Sequence, residues 1–167
     1  MPTPQFILDL REHIGHAPLF LIGITAIVLR PHPDTPAPQV LLVQRSDTLE
    51  WTPIAGIVEP GEQLHEVAVR EVAEETGVTA RVERLVWVKT HPLMTYLNGD
   101  QASYVNHTFV MSHVEGDPQV GDDESVATGW FGLDNLPPMQ PDFRERIDYA
   151  VQAPPGVRFG AGTEIFQ

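Results

Sequence analysis

Three glutamates, Glu71, Glu74 and Glu75, stand within five consecutive positions of the stretch VREVAEETGV, residues 69–78. At ~100° per residue they share one ~100° arc of a helix. Carboxylates spaced i,i+4 repel one another, so the arrangement implies a compensating cation. Arg70 lies alongside and can pair with Glu66 or Glu74 at i,i±4. One guanidinium cannot neutralise so many carboxylates. A hard divalent ion such as Mg²⁺ could, because it takes oxygen ligands and retains waters and substrate phosphates in its shell. The alternative is a surface helix with a solvated charged face. That alternative explains neither the spacings nor the glycines of the preceding loop.

The helix implied by this spacing places Ala68, Val69, Val72 and Ala73 on the arc adjoining the glutamates, which predicts a core-facing side next to a carboxylate side. Leu64 and Val67 fall on the glutamate side, so a neighbouring loop is expected to cover the first turn. Pro60-Gly61 predicts a tight turn leading into the helix, and Gly77 its left-handed termination.

The longer stretch from Gly56 to Val78, GIVEPGEQLHEVAVREVAEETGV, resembles the Nudix box of the Nudix hydrolases. The resemblance rests on Gly56, Glu62, Arg70, Glu71, Val72, Glu74, Glu75, Gly77 and Val78. It implies that Glu71, Glu74 and Glu75 ligate the metal, joined by a backbone carbonyl near Gly56. It also implies that Arg70 holds the ligands in place and that Glu62 orients Arg70. Just upstream, Trp51-Thr52-Pro53-Ile54-Ala55-Gly56 departs from the family's usual Trp-x-x-Pro-Gly-Gly, with Ala55 in place of the first glycine and the proline displaced. For the general base the resemblance leaves two candidates, Glu71 in the box and Glu124 in Asp122-Asp123-Glu124. Glu124 could instead be a further ligand or part of a solvated acidic loop.

Substrate selection must come from outside the box. Arg45 could pair with a phosphate and Trp51 could stack on a base; equally, Arg45 could form a surface ion pair and Trp51 could belong to the core. Tyr96, Tyr104 and His107 could line the cleft. His65 and His91 show no zinc-binding spacing.

These residues need a scaffold, and the chain predicts one. Residues 4–14 have helical spacing, and 19–29 read as a buried central strand. A second strand over 40–44 follows, pairing with the first like a hairpin. Strands are expected over 81–89 and 102–113, with a short one around Trp130-Phe131. A closing amphipathic helix is expected over 141–151. The tail from 153 reads as loose or packed on a partner. The fold class expected is α/β (α+β), the Nudix fold: an α-β-α sandwich with a mixed sheet, one domain over 1–167 with its core at about 17–152.

The net charge of −13 over 167 residues argues against nonspecific nucleic-acid binding or an anionic membrane surface. With no cysteine, disulfides, thiolate zinc sites and cysteine nucleophiles are excluded, as is the cysteine-dependent isoprenoid isomerase chemistry some relatives of this fold use. No apolar run approaches a membrane span and no leader pattern opens the chain, so a cytoplasmic protein is expected. The expected function is hydrolysis of a nucleoside diphosphate linked to another moiety, ADP-ribose-like, with Mg²⁺ or Mn²⁺, in a chain that could form a homodimer. The alternative is a Nudix-fold module that senses a nucleotide without turnover.

Overall fold

The computed structural model describes residues 3–152, 154–160 and 165–166. In chain order the elements are α1 (Gln5–Ile14), β1 (Leu19–Arg30), β2 (Gln39–Arg45), β3 (Trp51–Thr52), β4 (Ile54–Ile57), α2 (Leu64–Thr76), β5 (Thr79–Thr90), β6 (Met94–Thr95), β7 (Gln101–Glu115), β8 (Ser125–Gly132), α3 (Pro141–Gln152), β9 (Val157–Phe159) and β10 (Ile165–Phe166).

β1 is the axis of the sheet, and its near-continuous apolar run follows from being covered on both faces. Along one edge it pairs in parallel with β7, from Leu19↔Ala102 to Leu29↔Ser112. Along the other it is shared. β2 meets it only at Leu29↔Val40 and Arg30↔Gln39, and β4 takes the remainder from Gly23↔Ile57 to Ala26↔Ile54. The hairpin expected from the sequence is therefore only a short junction, beyond which β2 pairs with β8. β4 itself lies in a stretch that reads as loop, because Pro53, Ala55 and Gly56 carry little strand signal and the pairing partner is distant in sequence. β5 lies antiparallel to β7, and the sheet is mixed, as expected.

Alternation along β1 divides the core. Ile24, Ala26 and Val28 pack with Val67, Ala68 and Val72 of α2 on one face. Ile27 packs with Ile147 and Ala150 of α3 on the other, and Leu21 packs with Ile7 of α1 on that same side. This is the α-β-α sandwich. A 13-residue helix is marginal in isolation. Full burial of Val67 and Val72, each contributing ~1.5–3 kcal/mol as an upper estimate, holds α2 to the sheet.

The segment after α3 departs from its expected looseness. β9 adds to the sheet edge in parallel with β5 at Trp87↔Arg158 and Val88↔Phe159, and Trp87 Nε1 donates to the Gly160 carbonyl at 2.8 Å. β10 pairs antiparallel with β9. The rest of the tail, residues 153, 161–164 and 167, lies outside the described residues. Among the described residues no helix is long and apolar enough to cross a membrane.

Candidate active site

The glutamate helix is held at both ends by local backbone chemistry. Before it, the Glu62 amide donates to the Glu59 carbonyl at 3.1 Å, with Pro60 second and Gly61 third in the turn at φ +95°, a type II turn. After it, Gly77 sits at φ +67° and its amide reaches the Ala73 carbonyl at 2.9 Å.

The helix is rotated relative to the sequence expectation. Val69 and Ala73 are exposed, and the buried face is Val67, Ala68, Glu71, Val72, Glu75 and Thr76. Leu64 and Val67, assigned by the sequence to a loop-covered side, pack into the main core. The governing stripe is 64, 67, 68, 71, 72, 75, an i, i+3, i+4, i+7 pattern in which two core-facing positions carry glutamate. Hydrophobicity alone cannot reveal such a stripe. The larger chains of Leu64, Val67 and Val72 set the rotation, and Glu71 and Glu75 are carried inward with them.

Glu71 is 1% exposed and Glu75 6%. Burial raises both carboxyls, with the mutual repulsion of the acidic residues adding to it: Glu71 is pushed up to about 7 and Glu75 to about 8. Arg70 Nη1 lies 3.0 Å from Glu71 Oε1, but the pair is misaligned for a hydrogen bond, so Oε1 is a buried carboxylate oxygen with no donor. The other wall is Gly56: a Cβ there would stand 2.2 Å from Glu71 Oε1. The glycine is thus required by the carboxylate lying against its Cα. Ala55 is exposed, which accommodates its methyl where relatives carry glycine.

Arg70 gathers the remaining acids. Its Nε and Nη2 donate to Glu62 at 3.1 and 3.2 Å, and its Nη1 donates to Glu74 at 3.0 Å. Burial alone would lower the guanidinium, but the Glu62 hydrogen bonds and the charge of Glu71 outweigh it and raise it. The Glu74 side chain is 55% exposed and turned toward Arg70. Consequently, among the described residues no three acidic or histidine side chains converge on one point that could hold an ion. Glu71 and Glu75 nonetheless fit a hard cation: they are buried oxygen donors whose nearby cations, Arg70 and Arg45, do not offset their burial, and Glu71 Oε1 has no hydrogen-bond donor.

The loop carrying Glu124 reaches the same end of α2. The Ser46 amide donates to the Glu124 carbonyl at 2.6 Å, and Asp122 Oδ1 accepts from the Glu124 and Ser125 amides at 3.0 and 3.2 Å. Gly121, Asp122, Asp123 and Glu124 line a cleft of about 460 Å³, within the ~300–1,000 Å³ usual for ligand sites. A cleft of about 450 Å³ against α3 is lined by Arg144, Asp148, Glu145 and Arg158, among others. Its charges pair with one another, Arg144 with Asp148 and Arg158 with Glu145, so residual charge favours the first cleft as the place for chemistry.

Arg45 lies near enough to Glu75 for their charges to interact, and Asp47 holds its guanidinium in a fork at 2.8 and 2.6 Å. Trp51 is not brought to the glutamates. Its register with Gln44 points it to the α3 side, where it packs edge-on against Phe131 at 4.7 Å, so the packing matches the core alternative. Tyr104 and Tyr96 join hydroxyls at 2.7 Å beside α1. His107 is half-buried on the α2 side of the sheet, 3.4 Å from the Gly23 carbonyl. The sequence reading passed over Gln119 and Gly121, whose amides bind the end of α2. The only signal was the glycine itself, in an otherwise ordinary acidic loop.

Comparison with known proteins agrees with this geometry. The model of the NUDIX domain matches residues 20–152. The chain therefore belongs to the Nudix hydrolase family, whose members generally use divalent metal ions. It is 35% identical over 96 residues to the ADP-ribose pyrophosphatase of Methanocaldococcus jannaschii, covering 56% of this chain and 53% of that one. It is 31% identical over 182 aligned positions to the NAD-capped RNA hydrolase NudC of Pseudomonas syringae pv. tomato, covering 93% of this chain and 60% of the relative. The chain thus spans 53% and 60% of the lengths of these two curated relatives. Its fold is similar to an ADP-ribose pyrophosphatase from Streptococcus suis (TM-score 0.63, 20% identity, 84% of this chain and 97% of that one). It is also similar to the NUDIX domain of Shewanella oneidensis NrtR complexed with ADP ribose (TM-score 0.58, 21% identity, 90% and 97%). At these identities the structural likeness is one of fold.

Proposed function

We propose that the chain hydrolyses the diphosphate linkage of a nucleoside diphosphate joined to another moiety, with ADP-ribose as the first substrate to test and Mg²⁺ or Mn²⁺ as the ion. The observation that carries this reading is the pair of buried glutamates, Glu71 and Glu75, with an unspent oxygen against Gly56. Two acids at core positions whose neighbouring cations do not offset their burial are costly to the fold, and an ion that binds them would meet that cost.

Glu71, Glu75 and Glu74 would hold the ion. When bound, it offsets the negative charge of the diphosphate oxygens and makes a water a better nucleophile. Glu62 fixes Arg70 by two hydrogen bonds, and Arg70 in turn holds Glu74 at the mouth of the site. Glu124, fixed through its backbone, is the base candidate outside the buried set and accepts the proton of the attacking water; Glu71 is the candidate within the set. The P–O bond to the bridging oxygen breaks as the bond from water oxygen to phosphorus forms. The products are a nucleoside monophosphate and a second phosphorylated fragment. Arg45, held by Asp47 in the fold, would meet a phosphate if Asp47 released it.

The test is incubation with Mg²⁺ and a panel of ADP-ribose, NADH, dinucleoside polyphosphates and nucleoside triphosphates, followed by chromatography of the products. Release of AMP from ADP-ribose or NADH supports the reading. Tight binding of ADP-ribose without any product would establish the sensing alternative.

A further inference from the structure

Residues 115–123 read in the sequence as an acidic loop, yet this loop is strapped to the glutamate helix. The Gln119 amide donates to the Thr76 carbonyl at 2.8 Å and the Gly121 amide to the Glu75 carbonyl at 3.1 Å. Both acceptors belong to the last turn of α2, where carbonyls have no partner within the helix. The loop supplies donors that water would otherwise provide.

Gly121 makes the closest approach. A Cβ at this position would stand 1.9 Å from the Glu74 carbonyl oxygen and 3.0 Å from its carbonyl carbon. Both atoms are helix backbone and cannot rotate aside. The φ of Gly121 is not positive, so the residue is needed for its bare Cα and not for an unusual dihedral. The straps also act against electrostatics. Asp122 and Asp123 sit beside a helix end that already carries Glu74 and Glu75, and like charges alone would drive the loop outward. Immediately beyond Gly121, the Asp122 side chain accepts from the Glu124 and Ser125 amides, which ties the backbone from 122 to 125 into one turn.

We propose that Gly121 is a positioning residue for the reaction: its missing side chain lets the loop seat on the last turn of α2, and that seating sets Glu124 at its working distance from Glu71, Glu74 and Glu75. The proposal rests on the reading of Glu124 as the group that acts on the attacking water. Gly121 itself touches no reacting atom.

The experiment is steady-state hydrolysis of ADP-ribose with Mg²⁺ by the full chain and by Gly121→Ala, Glu124→Gln and the double variant. Gly121→Ala is expected to lower kcat ~10–100-fold, as for an ångström-scale misplacement, with KM within about twofold. In the Glu124→Gln background the alanine is expected to add nothing, because it acts only through that side chain. Amide hydrogen exchange on the unmodified protein provides a readout independent of whether the variant folds. Gln119 and Gly121 should be protected as well as the last turn of α2. Wild-type kcat in Gly121→Ala, additive losses in the double variant, or freely exchanging amides at 119 and 121 would each overturn the proposal. Unimpaired Glu124→Gln would remove the reading of Glu124 and the proposal with it. An impaired Glu124→Gln beside an unimpaired Gly121→Ala would remove the seating alone.

Discussion

Two arginine-centred clusters lie on opposite faces of the same sheet. On the α2 face, Arg70 stands among Glu62, Glu71 and Glu74, so carboxylates outnumber cations there. On the α3 face, Arg146 is 1% exposed and spends its donors on Asp142 at 2.9 Å, Asn106 at 2.7 Å, His91 at 2.8 Å and the Thr108 hydroxyl. Lys89 closes on the same Asp142. The titrations point opposite ways. Burial outweighs all partners at Glu71 and Glu75 and raises them, whereas at Asp142 the opposing effect of burial is overcome by Lys89 and Arg146, and the carboxyl falls below its usual range. Burial of charge therefore does not by itself mark a reactive site. The α3 cluster is buried with its guanidinium hydrogen-bonded to four partners, as in a structural network; the α2 cluster is buried with carboxylates in excess of cations.

The largest effect that could break this contrast is on turnover. Glu74→Gln should lower kcat ~10³-fold or more, about 4 kcal/mol in the barrier, while melting within a few degrees of the parent because Glu74 is exposed. Kinetics with Mg²⁺ and a circular dichroism melt check both halves, and an equally active variant would count against the ligand assignment. Next comes the α3 cluster. Arg146→Ala empties a buried site and removes hydrogen bonds from Asp142, Asn106, Thr108 and His91, and should cost about 3 kcal/mol or more of stability, lowering Tm by ~6 °C or more, with kcat at low temperature nearly unchanged. Activity loss without a stability loss would reverse the roles of the two faces.

A smaller effect sharpens the α2 side. Glu62→Gln weakens the hold on Arg70 and should reduce kcat/KM and apparent Mg²⁺ affinity ~10-fold, measured by metal titration of the rate. The smallest concerns pH. Burial and the adjacent Arg146 depress His91 below its ordinary 6.5, so it stays neutral in the fold. As pH falls the unfolded chain takes up this proton first. The stability is present above about pH 6.5 and is lost as pH drops through the folded value. Chemical denaturation across the range from about pH 7 to 5 should show a shallower decline in His91→Gln, which keeps an acceptor for Arg146 but no titrating group.

The positions of the acids were legible because helix spacing is local: Glu71, Glu74 and Glu75 must share an arc whatever surrounds them. Which way that arc faces was not. The sequence places Val69 and Ala73 inside, and the structure places Glu71 and Glu75 there, because bulk at Leu64, Val67 and Val72 outweighs polarity. Trp51 shows the same limit for strands. Its face follows from one register pair, Gln44↔Trp51, and no pattern within the chain around it reveals that pairing. β4 and β9 were missed for a related reason, since short strands rich in Gly or Pro neighbours exist only by virtue of distant partners. The mixed sheet and the sandwich, resting on long apolar runs such as Leu19–Arg30, were legible throughout.

The ribbon contributed by Val157–Phe159 has a bearing beyond catalysis. It occupies the outer flank of Thr79–Thr90, a strand that among the described residues is otherwise bonded on one side only, and the Gly160 carbonyl accepts a hydrogen bond from the indole N–H of Trp87. A chain shortened at residue 154 would keep Glu62, Glu71, Glu74, Glu75 and Glu124 and still bare unbonded amides and carbonyls along Thr79–Thr90. Such a margin invites intermolecular strand addition, so the shortened protein would fail through self-association before it failed as a catalyst.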